Sequence, residues 1–251
     1  MRFRLTAFGL HLLGSAAVLS LILGGLYLGW YRWPGWYLAE ATHIAGMVVM
    51  IDLALGPALT FSVASPGKPA RVLARDIAVI VTVQIIALVY GAVTLWSGRP
   101  LYYTFSADRL ELVQASDLVT ADTELARRMT PPLAPRWYSR PRWVWVPLPD
   151  DPDEAARIAE SAVMGGHDVI DMPRYFRPWE DGLPELRRRL RRVDELPGLT
   201  AGQKHSLATR IAARGLDAQR SDAILMWGPG RFLVVVFDPV TMLPAVIARP
   251  E

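Results

Sequence analysis

Residues 47–76 read MVVMIDLALGPALTFSVASPGKPARVLARD: an apolar run holding one carboxylate, a Gly-Pro step, and then a short basic loop. A charged side chain at the centre of a bilayer-crossing helix costs at least ~2.5–3.5 kcal/mol on insertion scales, so Asp52 needs a partner or a proton. The apolar run from Ala41 to Val63 reaches the ~20 residues that span a hydrocarbon core of roughly 30 Å. Working outward, two further stretches have the same character, Ala7 to Trp30 before it and Ile77 to Trp96 after it. A three-helix transmembrane domain over residues 1–98 is the expectation.

Composition agrees with that division. The 251 residues are 52% hydrophobic and only 20% charged, with a mean hydropathy of +0.22. Soluble chains are roughly 45–50% apolar on a count that includes glycine, whereas this figure omits 19 glycines. The net charge of +3 lies entirely in residues 1–98, where Arg2, Arg4, Arg32, Lys68, Arg71 and Arg75 face Glu40, Asp52 and Asp76. A balanced remainder argues against a nucleic-acid partner. It leaves the excess as a topology signal: five positive charges precede the first span or sit between the second and third, while the opposite hairpin, YRWPGWYLAE at 31–40, offers Arg32 against Glu40. By the positive-inside rule the N-terminus and the loop around Lys68 are cytoplasmic and everything after Trp96 is outside. A cleaved leader ending at Ala39-Glu40-Ala41 is the weaker reading, because the first apolar run exceeds the roughly 7–15 residues of a leader core and Trp and Tyr crowd the site.

Gln84 is the polar residue expected to reach Asp52. At ~1.5 Å per residue, Asp52 lies roughly 16 Å into span two and Gln84 about 10 Å into span three, with His11 much shallower. Pro57 removes a backbone donor and invites a kink beside Gly56. Asp76 differs from Asp52 in depth by about 16 Å, too far for an intramembrane aspartyl dyad. Asp52 is thus either glue between helices or a grip on another protein's transmembrane helix.

Residues 99–251 are expected to form a small α+β domain with an antiparallel sheet, able to fold without metal. LYYTFSADRLELV at 101–113 suggests a hairpin turning at Ser106-Ala107-Asp108-Arg109. Helices are expected at 116–129, after an Asp151 cap with Pro152 and Glu154, at 183–196, and after a Thr200/Gln203 capping box. Six prolines among Trp137, Tyr138, Trp143 and Trp145 make 131–149 extended. AILMWG, FLVVVFD and PAVIA close the chain as three strands of an antiparallel meander. No catalytic constellation emerges, and zero cysteines remove thiol and Cys-metal chemistry. His167, Asp168 and Asp171 fit turn chemistry better than a metal site. The run Arg187, Arg188, Arg189, Arg191 and Arg192 reads as a solvated helix face, with contact to an acidic partner or anionic headgroups as its alternative.

Several segments together resemble one family: TAFGLHLLGSAAVL at 6–19, IDLALGPALTF at 51–61 with SPGKP at 65–69, the long run from Arg75 to Val113, PLPDDPDEAARIAESAVMGGHDVIDMPRYFRPW at 147–179, and FLVVVFDPVTMLPAVI at 232–247. They are similar to the type IV pilin accessory proteins (the TfpX/TfpZ family). The resemblance implies a bacterial inner-membrane protein that helps pilin reach the surface, without enzymatic activity or cofactors, its partners being pilin and the lipid bilayer. It carries over no catalytic residue, only the motif positions Asp52, Gly56, Pro57, Gly67, Lys68 and Pro69. The rival expectation is a membrane-anchored sensor or ligand-binding module using the aromatic, proline-rich segment. Topology is directly measurable: alkaline phosphatase fused after Arg99 should be active and fused within 66–72 inactive, and the reverse pattern would overturn the orientation.

Overall fold

The computed structural model describes residues 1–130, 132–217 and 221–250, and its contacts divide into two compact units. The first contains Met1–Trp36 and Ala41–Arg99; the second contains Pro100–Glu251 together with Tyr37–Glu40 from the loop between the first two long helices. Pro131 of the proline-rich segment lies outside the described residues.

In the first unit, three helices are long and apolar enough to cross a membrane: α1 (Arg2–Leu26), prolonged by a π turn over Tyr27–Tyr31, α2 (Ala41–Val63) and α3 (Ala70–Ser97). Leu10, Leu13 and Leu21 on α1 and Ile86 and Tyr90 on α3 are exposed, which leaves apolar side chains facing outward around the unit. Polar contacts pin its ends. Arg4 donates to the Ala64 carbonyl at 2.7 Å and to Ser65 Oγ at 2.9 Å, while the buried Tyr31 hydroxyl donates to the Leu95 carbonyl at 2.7 Å. Aromatic rings gather at that second end, Trp30 edge-on to Trp96 at 4.9 Å and Trp36 edge-on to Tyr31 at 5.7 Å. Gly91 lets α3 approach α2, since a Cβ there would overlap Val48.

The second unit is built on a seven-stranded sheet. Its strands are β1 (Pro100–Ser106), β2 (Arg109–Gln114), β3 (Arg142–Trp145), β4 (Arg191–Arg192), β5 (Asp222–Trp227), β6 (Phe232–Phe237) and β7 (Pro244–Ala248), in the order β3-β1-β2-β5-β6-β7 with β4 also on β5. β1 and β2 form the expected hairpin, with Ala107 at φ +53° in the turn, and β5-β6-β7 are an antiparallel meander. The sheet as a whole is mixed, however, because β3 runs parallel to β1 and β2 parallel to β5. Both parallel neighbours arrive after long helical or proline-rich connections, and only tight turns force antiparallel pairing.

Helices α4 (Thr120–Met129), α5 (Pro152–Val163), α6 (Leu183–Arg189) and α7 (Ala201–Ala212) join the strands. Asp151 caps α5 by accepting from the Asp153 amide, and Thr200 and Gln203 form the α7 capping box. Glu154 makes an ion pair with Arg174 at 3.1 Å in place of the expected capping contact. The helix expected over 183–196 stops at Arg189: Leu190 is extended, and Arg191 and Arg192 pair with Ala223 and Asp222 of β5. Five arginines on one short helix repel one another, and pairing with β5 is the alternative the chain adopts.

Alternation along β6 sends Leu233, Val235 and Phe237 to one core and Val234 and Val236 to another, where α7 contributes Leu207 and Ile211. The first core also contains Leu38, fully buried like Phe105, Leu110 and Met226, with Trp179 buried beside them. Gly228 makes room for it, since a Cβ there would overlap the Leu38 carbonyl. On either side, Glu40 pairs with Arg231 at 2.9 Å, and Tyr37 lies under the guanidinium groups of Arg231 and Arg249 at 4.8 and 4.3 Å. Residues 99–251 alone therefore lack part of their own core. Leu38→Ala is expected to cost about 2–5 kcal/mol, read as lost amide-exchange protection in β5 and β6 of the detergent-solubilised chain; unchanged protection would show that Leu38 adds nothing to the core.

Candidate functional site

The site forms where α2 departs from α-helical geometry. Met50–Leu55 is a π turn, and the Gly56 amide donates back five residues to the Ile51 carbonyl. An α-helix would have given that donor to the Asp52 carbonyl. The next amide in the π register belongs to residue 57, which is proline and has none. The Asp52 carbonyl is thereby left without a donor from its own helix, and π turns of this kind recur at functional positions.

Gln84 of α3 supplies the missing donor. Its Nε2 lies 3.3 Å from the Asp52 carbonyl oxygen and 3.2 Å from Asp52 Oδ1, so one amide holds both backbone and side chain. Gly56 is what lets Gln84 in, because a Cβ there would overlap the Gln84 amide. With its N–H groups committed, Gln84 presents Oε1 to His11 Nε2 at 2.7 Å, and His11 Nδ1 lies 2.6 Å from Thr60 Oγ1. This network assigns the neutral ring its Nε2–H tautomer, with Nδ1 accepting from the Thr60 hydroxyl. Asp52, Thr60 and Gln84 are buried, Asp52 to 4% exposure.

Asp52 Oδ2 completes the description: among the described residues it has no hydrogen-bond partner. Asp52 also lines an open groove of about 580 Å³ between α1 and α3. Leu10, Gly14 and Val18 form one wall and Val81, Ile85 and Leu88 the other. The arrangement is a mostly apolar trough whose polar lining is Asp52 with His11, Ser15, Thr60 and Gln84. Such a trough suits an apolar segment carrying a single donor.

Of the residues singled out in the sequence, Asp52, Gly56, Pro57 and Gln84 come together here. His11 and Thr60 were missed. Depth counted along each helix placed His11 too shallow; its imidazole nevertheless meets the Gln84 side chain, a contact between two helices that counting along each one separately does not capture. Gly67, Lys68 and Pro69 lie elsewhere, in the loop before α3. Lys68 donates to the Val63 carbonyl at 3.3 Å and pairs with Asp76, and Pro69 caps α3. In the second unit Asp168 and Asp171 cap a short 3₁₀ turn at 169–171, His167 Nδ1 lies 3.5 Å from Asp171, and no group of three potential ligands among the described residues is placed to hold a metal.

No family model matches the chain, and no solved structure matches it. Three curated proteins of Dichelobacter nodosus are similar to it over 111 residues, 44% of this chain: the fimbrial assembly protein of serogroup I at 28% identity, that of serogroups C1 and C2 at 27%, and that of serogroup E1 at 26%. The alignments span 43%, 85% and 43% of those proteins, so the chain covers less than half the length of two of them.

The Gln84 clasp has a measurable energy. Gln84→Leu leaves the Asp52 carbonyl, Asp52 Oδ1 and His11 Nε2 unpaired, and is expected to cost about 1–3 kcal/mol. Gly56→Ala should act in the same direction by displacing the amide. Thermal unfolding in detergent reads both, and unchanged midpoints in the two variants would show that the clasp contributes no stability.

Proposed function

We propose that this protein is a non-enzymatic accessory of type IV pilus assembly, seated in the bacterial inner membrane with its N-terminus in the cytoplasm and its sheet unit in the periplasm. It stabilises or escorts pilin by holding the pilin's transmembrane helix in the groove beside Asp52. The observation that carries this reading is the free Oδ2 of a buried carboxylate in an apolar trough. Three apolar helices with outward-facing leucines support the membrane setting, and relatives named for fimbrial assembly support the pathway.

A pilin waits for assembly as an apolar helix with a polar group near its start, either an amine or an acidic side chain. In hydrocarbon such a group seeks a hydrogen-bond partner, and Asp52 offers one, ionised against an amine or protonated against a carboxylate. Contacts of this kind contribute only ~0.6–2 kcal/mol between membrane helices. Their value lies in register, since an apolar helix has little else to fix its depth.

The test is pilin recovery by crosslinking, with pilus yield, at matched protein levels. Asp52→Asn is expected to weaken association a few-fold, and Asp52→Leu to weaken it further with the protein still inserted. Full activity in Asp52→Leu would move recognition to the sheet unit, and loss of the variant from the membrane would assign Asp52 to internal packing alone.

A further inference from the structure

A second open site lies in the sheet unit, where β5 has three strand neighbours. β6 follows one edge of β5 from Ala223 to Trp227. The other edge is divided: β4 pairs with Asp222 and Ala223, and β2 with Met226 and Trp227. Between them Ile224 and Leu225 have no partner in either register, and they line a crevice of about 700 Å³. Extended peptides add to sheets through main-chain hydrogen bonds where strand backbone is left unpaired; β5 is an interior strand, and the gap between β4 and β2 is such a place.

The walls specify the chemistry. Arg188, Arg189 and Arg191 line one side, where α6 passes into β4. Arg188 and Arg189 share a single carboxylate, Glu185, and between them hold it below its usual range, so two guanidinium groups divide one negative charge. Arg191 is paired through its backbone with Ala223, and its guanidinium makes no hydrogen bond or ion pair among the described residues. Arg109, also in the lining, is committed to Glu111. Trp227 is 41% exposed and adds an aromatic surface to the lining. Planar guanidinium forks match carboxylates in bidentate geometry. Asp108 and Glu111 also line the crevice, where Glu111 is paired with Arg109, so the positive charge is concentrated on the Arg188–Arg191 side.

We propose that this crevice binds an extended, acidic and partly apolar peptide segment of a partner protein. Its backbone runs along β5 at Ile224 and Leu225, a carboxylate meets the wall around Arg191, and an apolar side chain rests on Trp227. The proposal does not depend on the helical groove, and Asp52 variants should leave it unchanged.

The test uses the full chain in neutral-lipid nanodiscs and a labelled, end-blocked pentapeptide of alternating leucine and aspartate, followed by fluorescence polarisation. The aspartate peptide should bind, and its lysine counterpart should not. Arg191→Ala should weaken binding at least about fivefold, as expected for loss of one charge-assisted contact, and Arg191→Lys should fall between. Added salt should weaken binding in parallel. Absence of binding by the aspartate peptide, equal binding by the lysine peptide, or indifference to Arg191→Ala would each overturn the proposal. So would Arg191-dependent binding to phosphatidylglycerol vesicles that exceeds binding to the peptide, since that outcome assigns the arginines to a membrane surface.

Discussion

A backbone carbonyl buried among apolar side chains has to find a donor, and at Asp52 its own helix supplies none. The π turn sends the Gly56 amide to Ile51, and Pro57 has no amide to offer. The polar cluster around Asp52 follows from that vacancy in the hydrogen-bond ladder. Gln84 must come close enough to donate, Gly56 must lack a side chain for it to do so, and the remaining Gln84 oxygen then recruits His11, which recruits Thr60. One donor shortage thus ties three helices together and holds a carboxylate with one oxygen left over. Removing any member exposes the others to the cost of unpaired burial, which is why a motif as plain as Asp-Leu-Ala-Leu-Gly-Pro carries so much of the structure.

The sheet unit depends on a loan of a different sort. Leu38 belongs in sequence to the loop between α1 and α2 but in packing to the core under β5 and β6. Glu40 and Tyr37 fix it there through Arg231 and Arg249. The four residues Tyr37–Glu40 thereby make the sheet unit's core discontinuous in sequence. The same β5 strand that receives Leu38 is also the one whose edge is shared between β2 and β4, so its surroundings are assembled from pieces distant in the chain.

Much of this was legible in the sequence, where one-dimensional rules suffice. Apolar runs long enough to cross a bilayer located the three long helices, and Asp52, Gly56, Pro57 and Gln84 could be picked out because polar groups and helix breakers are conspicuous in such runs. Turn chemistry located the β1-β2 hairpin, the Asp151 and Thr200 caps and the three closing strands. What escaped was set by contacts between distant segments. Parallel pairing of β3 with β1 and of β2 with β5 leaves no local signature, and the leucine spacing of 183–196 looked helical until Arg191 and Arg192 were claimed by β5. His11 was misjudged because counting residues along each helix says nothing of how the helices lie against one another, and its imidazole meets Gln84 from a different helix. Leu38 had no signal at all, being one apolar residue in an aromatic loop.

The central claim is that the trough beside Asp52 receives a partner helix. The chain has no cysteine, so single cysteines report position without background. Placed at Leu10, Gly14 or Val18 in the trough, they should form disulfides with cysteines introduced in the pilin's apolar helix, with a helical periodicity along it; at Leu13 or Leu21, which are exposed on α1 outside the trough, they should not. Crosslinking that is equal at both sets of positions, or confined to Leu13 and Leu21, would contradict the account.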